Sequence, residues 1–347
     1  MSENNSRESP LRGTRHRPRT FLGPPRGTTV GASSPSLVGP GLLLVLLTAL
    51  ISGASTFANG YAVAGTSSAV FVTFRNLLVA FLVLPLGLLA FRGASERPSA
   101  RQWGILLVIG LVGGAIPFLL FFQGIALATA AGGATTASFL YRTLFVLATV
   151  LGIVVLRERF HWKAVVGGAL LLGGNFLLMA LTTPVWTDGS AYVLAATLLW
   201  AGEYTLSKNL LRSLPSGLVA AGRMGFGAAF LLAYLGLTSQ LGAVVLFSGA
   251  QWTWVALSAV LLSAFVGAWY AGLKRVDLGV ATSVLVLGYP VTWLLAVAFQ
   301  GAPLVTGELW GALLVVLGAF FVVGWRSLRE LARWTLSRFP RSGRTTT

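Results

Sequence analysis

Ten apolar runs of about 20 residues each account for most of this chain. They lie near residues 40–61, 69–91, 103–127, 133–156, 163–182, 190–211, 217–238, 252–272, 279–299 and 306–325. A helix needs about 20 residues to cross the hydrocarbon core, so each run suffices for one crossing. In lipid the backbone must satisfy its own hydrogen bonds, which a helix does within one segment. The pattern predicts an all-α integral membrane protein of ten transmembrane helices. Composition agrees: 55% of residues are hydrophobic and only 10% charged, against about 25% charged in soluble domains. The 42 glycines would weaken helices in water, but in a bilayer they let helices approach closely.

The basic residues set the orientation. Arg7, Arg12, Arg15, Arg17, Arg19 and Arg26 precede the first run, and six arginines from Arg326 to Arg344 follow the last. Every second gap is also basic: Arg92, Arg97 and Arg101; Arg157, Arg159 and Lys163; Lys208 and Arg212; Lys274 and Arg275. The alternate gaps contain no Lys or Arg. Positive loops stay inside, so the pattern predicts an even number of spans, both termini in the cytoplasm and a multi-pass protein of the cell membrane. The net charge of +16 therefore reports topology, and nucleic acid is not an expected partner.

Residues 1–38 are rich in Arg, Pro, Ser and Gly and read as a disordered basic cytoplasmic tail. No apolar signal-peptide core precedes the first run, which is expected to remain as a helix. In the second basic tail, 326–347, Leu328, Ala332, Leu336 and Phe339 share a stripe with Trp325. An amphipathic helix on the inner leaflet and a solvated tail both fit.

The chain also repeats itself. Arg75 and Arg223 lie at corresponding places in spans 2 and 7. Thr136 and Tyr141 of span 4 correspond to Thr282 and Tyr289 of span 9. Gly167-Gly168-Ala169-Leu170-Leu171 corresponds to Gly311-Ala312-Leu313-Leu314. Five is odd, so two five-span copies must be inverted, an arrangement many secondary transporters use. The expected repeats are 40–182 and 190–325.

In the first copy, Ala126-Leu127 leads to Thr135-Thr136-Ala137-Ser138, and Leu156-Arg157-Glu158-Arg159-Phe160 leads to the glycine-rich fifth span. In the second, Trp200-Ala201-Gly202 opens the copy and Tyr289-Pro290 lies in its fourth span. In this order of features, over residues 40–325, the chain resembles the drug/metabolite transporter superfamily, in its form with two EamA-like halves. The resemblance implies a ten-helix permease of inverted repeats. The chain departs from the family pattern at Arg142, where proline is frequent, at Ala302, where a loop glutamate is expected, and at Ser52-Gly53, where Trp-Gly is common.

Charges inside spans are expensive and mark functional candidates. Arg142 lies about nine residues into span 4, roughly 13 Å deep. Its planar guanidinium suits a carboxylate or phosphate, and a structural role satisfied by carbonyls is the alternative. Arg75 and Arg223 lie nearer the outer ends, where they reach the interface, cap helices or touch substrate. Glu203, deep in span 6, either pairs with an arginine or carries a coupling proton. Tyr141, Trp200, Tyr204, Trp269 and Tyr289 supply aromatic walls or packing. Gln123, Asn59 and Asn175 join helices, with Gln123 also a substrate candidate. Pro117 and Pro290 bend their helices and free backbone groups. The substrate-binding candidates are thus Arg142, Tyr141, Glu203, Arg75, Arg223, Tyr289, Trp200 and Gln123, with Glu203 the coupling candidate.

The expected function is secondary transport of a small polar metabolite, anionic or zwitterionic because three buried arginines face one deep acid. A facilitator, channel or lipid flippase of the same fold is the alternative. No GxxxxGK[ST] loop is present to bind ATP. An enzyme is not expected. The chain has no cysteine, and its two histidines, His16 and His161, lie outside the spans, so it lacks the polar cluster membrane catalysis needs. No cofactor or metal is expected. The partners are a small-molecule substrate, the lipid bilayer and, as an open alternative, a second copy in a homodimer. A reporter domain fused after Thr347 should be active only on the cytoplasmic side. Activity solely outside the cell would overturn the ten-span topology.

Overall fold

The computed structural model describes residues 35–62, 67–94, 97–159, 162–179 and 184–338. Among these, ten helical rods follow one another. They are α1 (Pro35–Ala62), α2 (Ser68–Arg92), α3 (Ala100–Ala130), α4 (Ala134–Val154), α5 (Trp162–Leu178), α6 (Asp188–Leu210), α7 (Ser216–Leu237), α8 (Gly249–Leu273), α9 (Leu278–Gln300) and α10 (Thr306–Arg338). Eight are long and apolar enough to cross a membrane. The other two are α5, which is shorter, and α6, which carries Asp188, Glu203 and Lys208. The expected tail 1–38 lies outside the described residues except for its last four, which open α1. The end of the second tail, 339–347, lies outside them too.

The packing follows the inverted repeat. Mapping α1–α5 onto α6–α10 turns an α1–α8 contact into an α6–α3 contact, and both are extensive. The pairs α2–α7, α4–α9 and α5–α10 map onto themselves, and all three pack together. Equivalent starts use equivalent caps. Ser99 and Gln102 form a reciprocal capping box at α3, and Ser248 and Gln251 form one at α8, satisfying two orphan donors each.

Glycine sets the closest of these approaches. A Cβ on Gly174 would lie 2.7 Å from the Gly311 carbonyl oxygen, and one on Gly311 would lie 2.4 Å from the Leu178 nitrogen. Gly167 and Gly318 stand in the same relation farther along the α5–α10 seam. In lipid no hydrophobic drive joins helices, so this backbone-to-backbone fit holds them together.

Three rods are broken. Gly110–Ala115 forms a π-helical turn inside α3, just ahead of Pro117. In α9 the break falls at Val286–Leu287. Pro290 explains it, because its ring crowds the carbonyl four residues back and donates no hydrogen bond. In α4 the break falls at Thr143, immediately after Arg142. No proline is present, but the Thr143 hydroxyl donates to the Leu140 carbonyl at 2.6 Å, a local bond that competes with the helix. The two breaks thus occupy equivalent places with different causes. In addition, α10 turns sharply at Gly324, whose φ of 74° is the left-handed region glycine tolerates.

Adjacent glycines of α5 test the seam. Gly174→Ala should destabilise the detergent-solubilised protein by about 1–3 kcal/mol through overpacking. Gly173→Ala, which meets nothing within 4 Å, should be neutral or slightly stabilising. Equal unfolding temperatures for the two variants would contradict the seam.

Candidate functional site

The site begins with a carbonyl whose α-helical donor position is occupied by proline. Pro117 has no N–H, so the carbonyl of Gly113, four residues back, has no helical partner from it. Two side chains take its place: Trp200 Nε1 donates to Gly113 O at 3.1 Å and Arg223 Nη2 at 3.0 Å. The neighbouring Gly114 carbonyl accepts from Asn76 Nδ2 at 3.1 Å. Helices α2, α6 and α7 are thereby tied to one turn of α3. Glycine is required there, since a Cβ on Gly113 would meet Glu203 Cγ at 2.3 Å.

Beside this knot lies a cavity of about 800 Å³. Its walls come from α1, α2, α3, α4, α6, α7 and α8. Exposed Ser67, Gln123 and Thr129 mark its mouth, at the end of the bundle whose connections lack Lys and Arg. Phe118, Phe121, Tyr141 and Trp200 form an aromatic wall, with Phe121 and Tyr141 ring centroids 4.9 Å apart.

Arg75, Arg142 and Arg223 all line this cavity, but they are held differently. Arg223 is 2% exposed, and its Nε lies 3.5 Å from Glu203 Oε2. Glu203 is fully buried, and its other oxygen accepts from Ser207 Oγ at 2.5 Å and Tyr270 Oη at 2.6 Å. Arg75, also 2% exposed, donates Nε and Nη2 to Asn76 Oδ1 at 3.1 and 2.9 Å. Its guanidinium carbon lies 4.8 Å from the Phe118 ring centre. Arg142 sits over the rings of Tyr289 at 4.4 Å and Tyr141 at 5.6 Å, and its Nε has no hydrogen-bond partner. Among the described residues, no carboxylate forms an ion pair with Arg75 or Arg142.

The opposite, basic end of the bundle is tied shut. Lys208 Nζ donates to the carbonyls of Leu273 at 2.6 Å and Val276 at 2.5 Å, and Lys274 Nζ to that of Leu214 at 3.0 Å. Glu158, in the loop after α4, accepts from the amides of Leu278 at 2.7 Å and Gly279 at 3.3 Å. It thereby caps α9, whose N-cap residue Asp277 makes no side-chain bond, and satisfies donors the helix cannot. Burial pushes the Glu158 carboxyl above its ordinary range, while the two amides oppose that shift.

Six of the eight residues singled out from the sequence line the cavity: Arg75, Gln123, Tyr141, Arg142, Trp200 and Arg223. Tyr289 lies beneath Arg142, and Glu203 sits behind the wall, paired to Arg223. Arg75 and Arg223 do not reach the outer interface, which was one expectation for them, because both are buried in the bundle. Asn59 joins helices as expected, accepting from Ser258 Oγ at 2.6 Å, and also lines the cavity. Trp269 is packing, buried against Tyr204. Sequence reasoning did not single out as site residues the cavity hydroxyls, such as Ser52 and Ser138, or the phenylalanines of α3. Apolar or small residues in an apolar helix give no sign of which face they occupy. Asn76 was legible only as the neighbour of Arg75.

Comparison with known proteins covers the helices that carry these residues. The model of the EamA-like transporter family matches twice, over residues 39–180 and 188–324. The inner membrane metabolite transport protein YgcS of Escherichia coli (strain K12) is 29% identical over 180 residues, which is 52% of this chain and 35% of that protein. The chain therefore spans about a third of that relative's length. A solved crystal structure superposes with a TM-score of 0.65 at 18% identity, over 81% of this chain and 96% of the other, which is a likeness of fold.

Removing one partner of a buried ion pair strands the other's charge, at about 3–5 kcal/mol. Glu203→Gln should therefore lower stability by that order, read as thermal or denaturant unfolding in detergent. The double variant Glu203→Gln/Arg223→Gln should recover part of it. A double variant no more stable than Glu203→Gln would show that the pair is not coupled.

Proposed function

The chain belongs to the EamA-like transporter family and is a multi-pass membrane transporter, and from that premise we propose that it moves a small anionic or zwitterionic metabolite across the cell membrane by alternating access. Both termini are assigned to the cytoplasm on the charge of the connections. The observation that carries the proposal is the charge around the cavity. Three guanidiniums border it, and one carboxylate, Glu203, answers them. Charge left uncompensated in a low-dielectric site is costly, and a bound anion relieves that cost. Arg142 is the primary contact, because its Nε has no hydrogen-bond partner while Arg223 is paired to Glu203 and Arg75 is bonded to Asn76, and its fork can grip a carboxylate or phosphate.

The cavity open at one end and the lysine and glutamate contacts closing the other support alternating access over an open channel. The halves 40–182 and 190–325 are the proposed moving units, each carrying one copy of the broken fourth helix. Glu203 is the proposed coupling group. A substrate anion that draws Arg223 away from Glu203 leaves a buried carboxylate without its counter-charge, which ties substrate binding to the state of the pair. The Escherichia coli relative is named a metabolite transport protein, which supports a metabolite as the class of cargo.

Substitution at Arg142 tests the anion site. Arg142→Lys keeps the charge and loses the planar fork, so proteoliposomes should show substrate affinity weakened by about tenfold or more. Arg142→Gln should abolish saturable uptake while inserting normally. Normal transport by Arg142→Gln, or a lipophilic cation as the substrate, would overturn the reading.

A further inference from the structure

Beyond Gly324 the last helix builds a second site, remote from the transport cavity and resting on the proposed cytoplasmic assignment of this end but not on the proposed substrate. Residues after the turn continue as helix to Arg338, and their polar side faces the start of α5. The two enclose a pocket of about 810 Å³ lined by Lys163, Trp325, Arg326, Arg329, Glu330 and Arg333. Four cations thus meet one carboxylate. Glu330 lies 4.0 Å from Arg326, a residue 93% exposed, so three positive charges remain in surplus around the pocket. The Arg329 guanidinium lies 5.2 Å from the centre of the Trp325 ring.

The pocket stands where the apolar span of α10 ends. Just before the turn, α10 exposes Val316, Leu317 and Phe320, and α5 exposes Val165 beyond Lys163. A basic pocket therefore adjoins bare apolar helix surface on the side toward the membrane core. That combination fits an amphiphile with a phosphate head better than free phosphate, which would leave the apolar side unused. Cations clustered on the cytoplasmic side of a span meet the anionic leaflet there, and guanidiniums match phosphate oxygens in geometry and charge. We propose that this pocket binds the headgroup phosphate of an anionic phospholipid, whose acyl chains lie along the exposed faces of α5 and α10.

The test is lipid titration of the full-length protein purified in detergent, read by native mass spectrometry. Phosphatidylglycerol is compared with phosphatidylcholine of the same chain length, and inorganic phosphate is assayed separately by thermal shift. Wild type should bind phosphatidylglycerol more tightly than phosphatidylcholine. R329Q/R333Q should lose roughly thirtyfold in phosphatidylglycerol affinity, about fivefold per arginine, with phosphatidylcholine unchanged. R329K/R333K should keep most of the preference. Both positions are exposed, so the fold should survive. Should R329Q/R333Q nevertheless fail to fold, K163Q/R326Q carries the same expectation. Equal binding of the two lipids, or an unchanged phosphatidylglycerol affinity in the glutamine variants, would overturn the site. Stabilisation by inorganic phosphate that R329Q/R333Q abolishes would overturn its assignment to lipid.

Discussion

Much of the architecture around the cavity depends on one backbone carbonyl. Pro117 removes the donor that Gly113 O would otherwise meet, and a π-helical turn spaces the chain around the gap. An unpaired carbonyl in a membrane interior is expensive. The fold resolves it by bringing Trp200 from α6 and Arg223 from α7 to the same oxygen. Arg223 then stands within reach of Glu203, and Trp200 stands in the cavity wall. The defect in α3 therefore positions the ion pair, the aromatic wall and, through Gly114 and Asn76, Arg75 as well.

Architecture and chemistry are divided between helices. The glycine seam of α5 and α10 lies outside the cavity lining and joins the halves by backbone fit. The cavity is walled by the remaining helices except α9, which contributes from beneath through Tyr289. Backbone fit at the periphery and a polar knot at the centre are thus separate parts of the structure. Close glycine contacts tolerate no side chain, whereas the hydrogen bonds at the closed end can be exchanged.

The number of spans, their order and the repeat were legible in the sequence because lipid imposes a simple length and charge code. Buried charge was legible for the same reason. Arg75, Arg142, Arg223 and Glu203 stand out in apolar helices, and all four belong to the cavity or its wall. What the sequence withheld was pairing. Glu203 could have met any of three arginines, and only packing places Arg223 beside it. Nor does an apolar helix show which phenylalanines face a cavity, since the pattern that separates inside from outside in water is absent in lipid. The π turn was half legible: Pro117 announced a disturbance, but not the two donors that resolve it.

Inversion makes the departures between the halves informative. Glu158 in the first half caps the start of α9, and its counterpart in the second half is Ala302, 144 residues on. An alanine side chain accepts no hydrogen bond, so the equivalent start of α4 has no carboxylate cap from that loop. Nearby, the Thr136 hydroxyl of α4 accepts from the Val185 amide at 2.9 Å, a bond that satisfies no donor of α4 itself. The end of the bundle held by Glu158 is the closed end, and the end beside Ala302 is the one where the cavity opens. The corresponding loop positions thus differ in an acceptor, Glu158 against Ala302. A carboxylate bonded to two backbone amides is worth more than a neutral hydroxyl contact. The asymmetry therefore gives the basic end of the bundle a carboxylate cap that the corresponding loop at the other end does not supply.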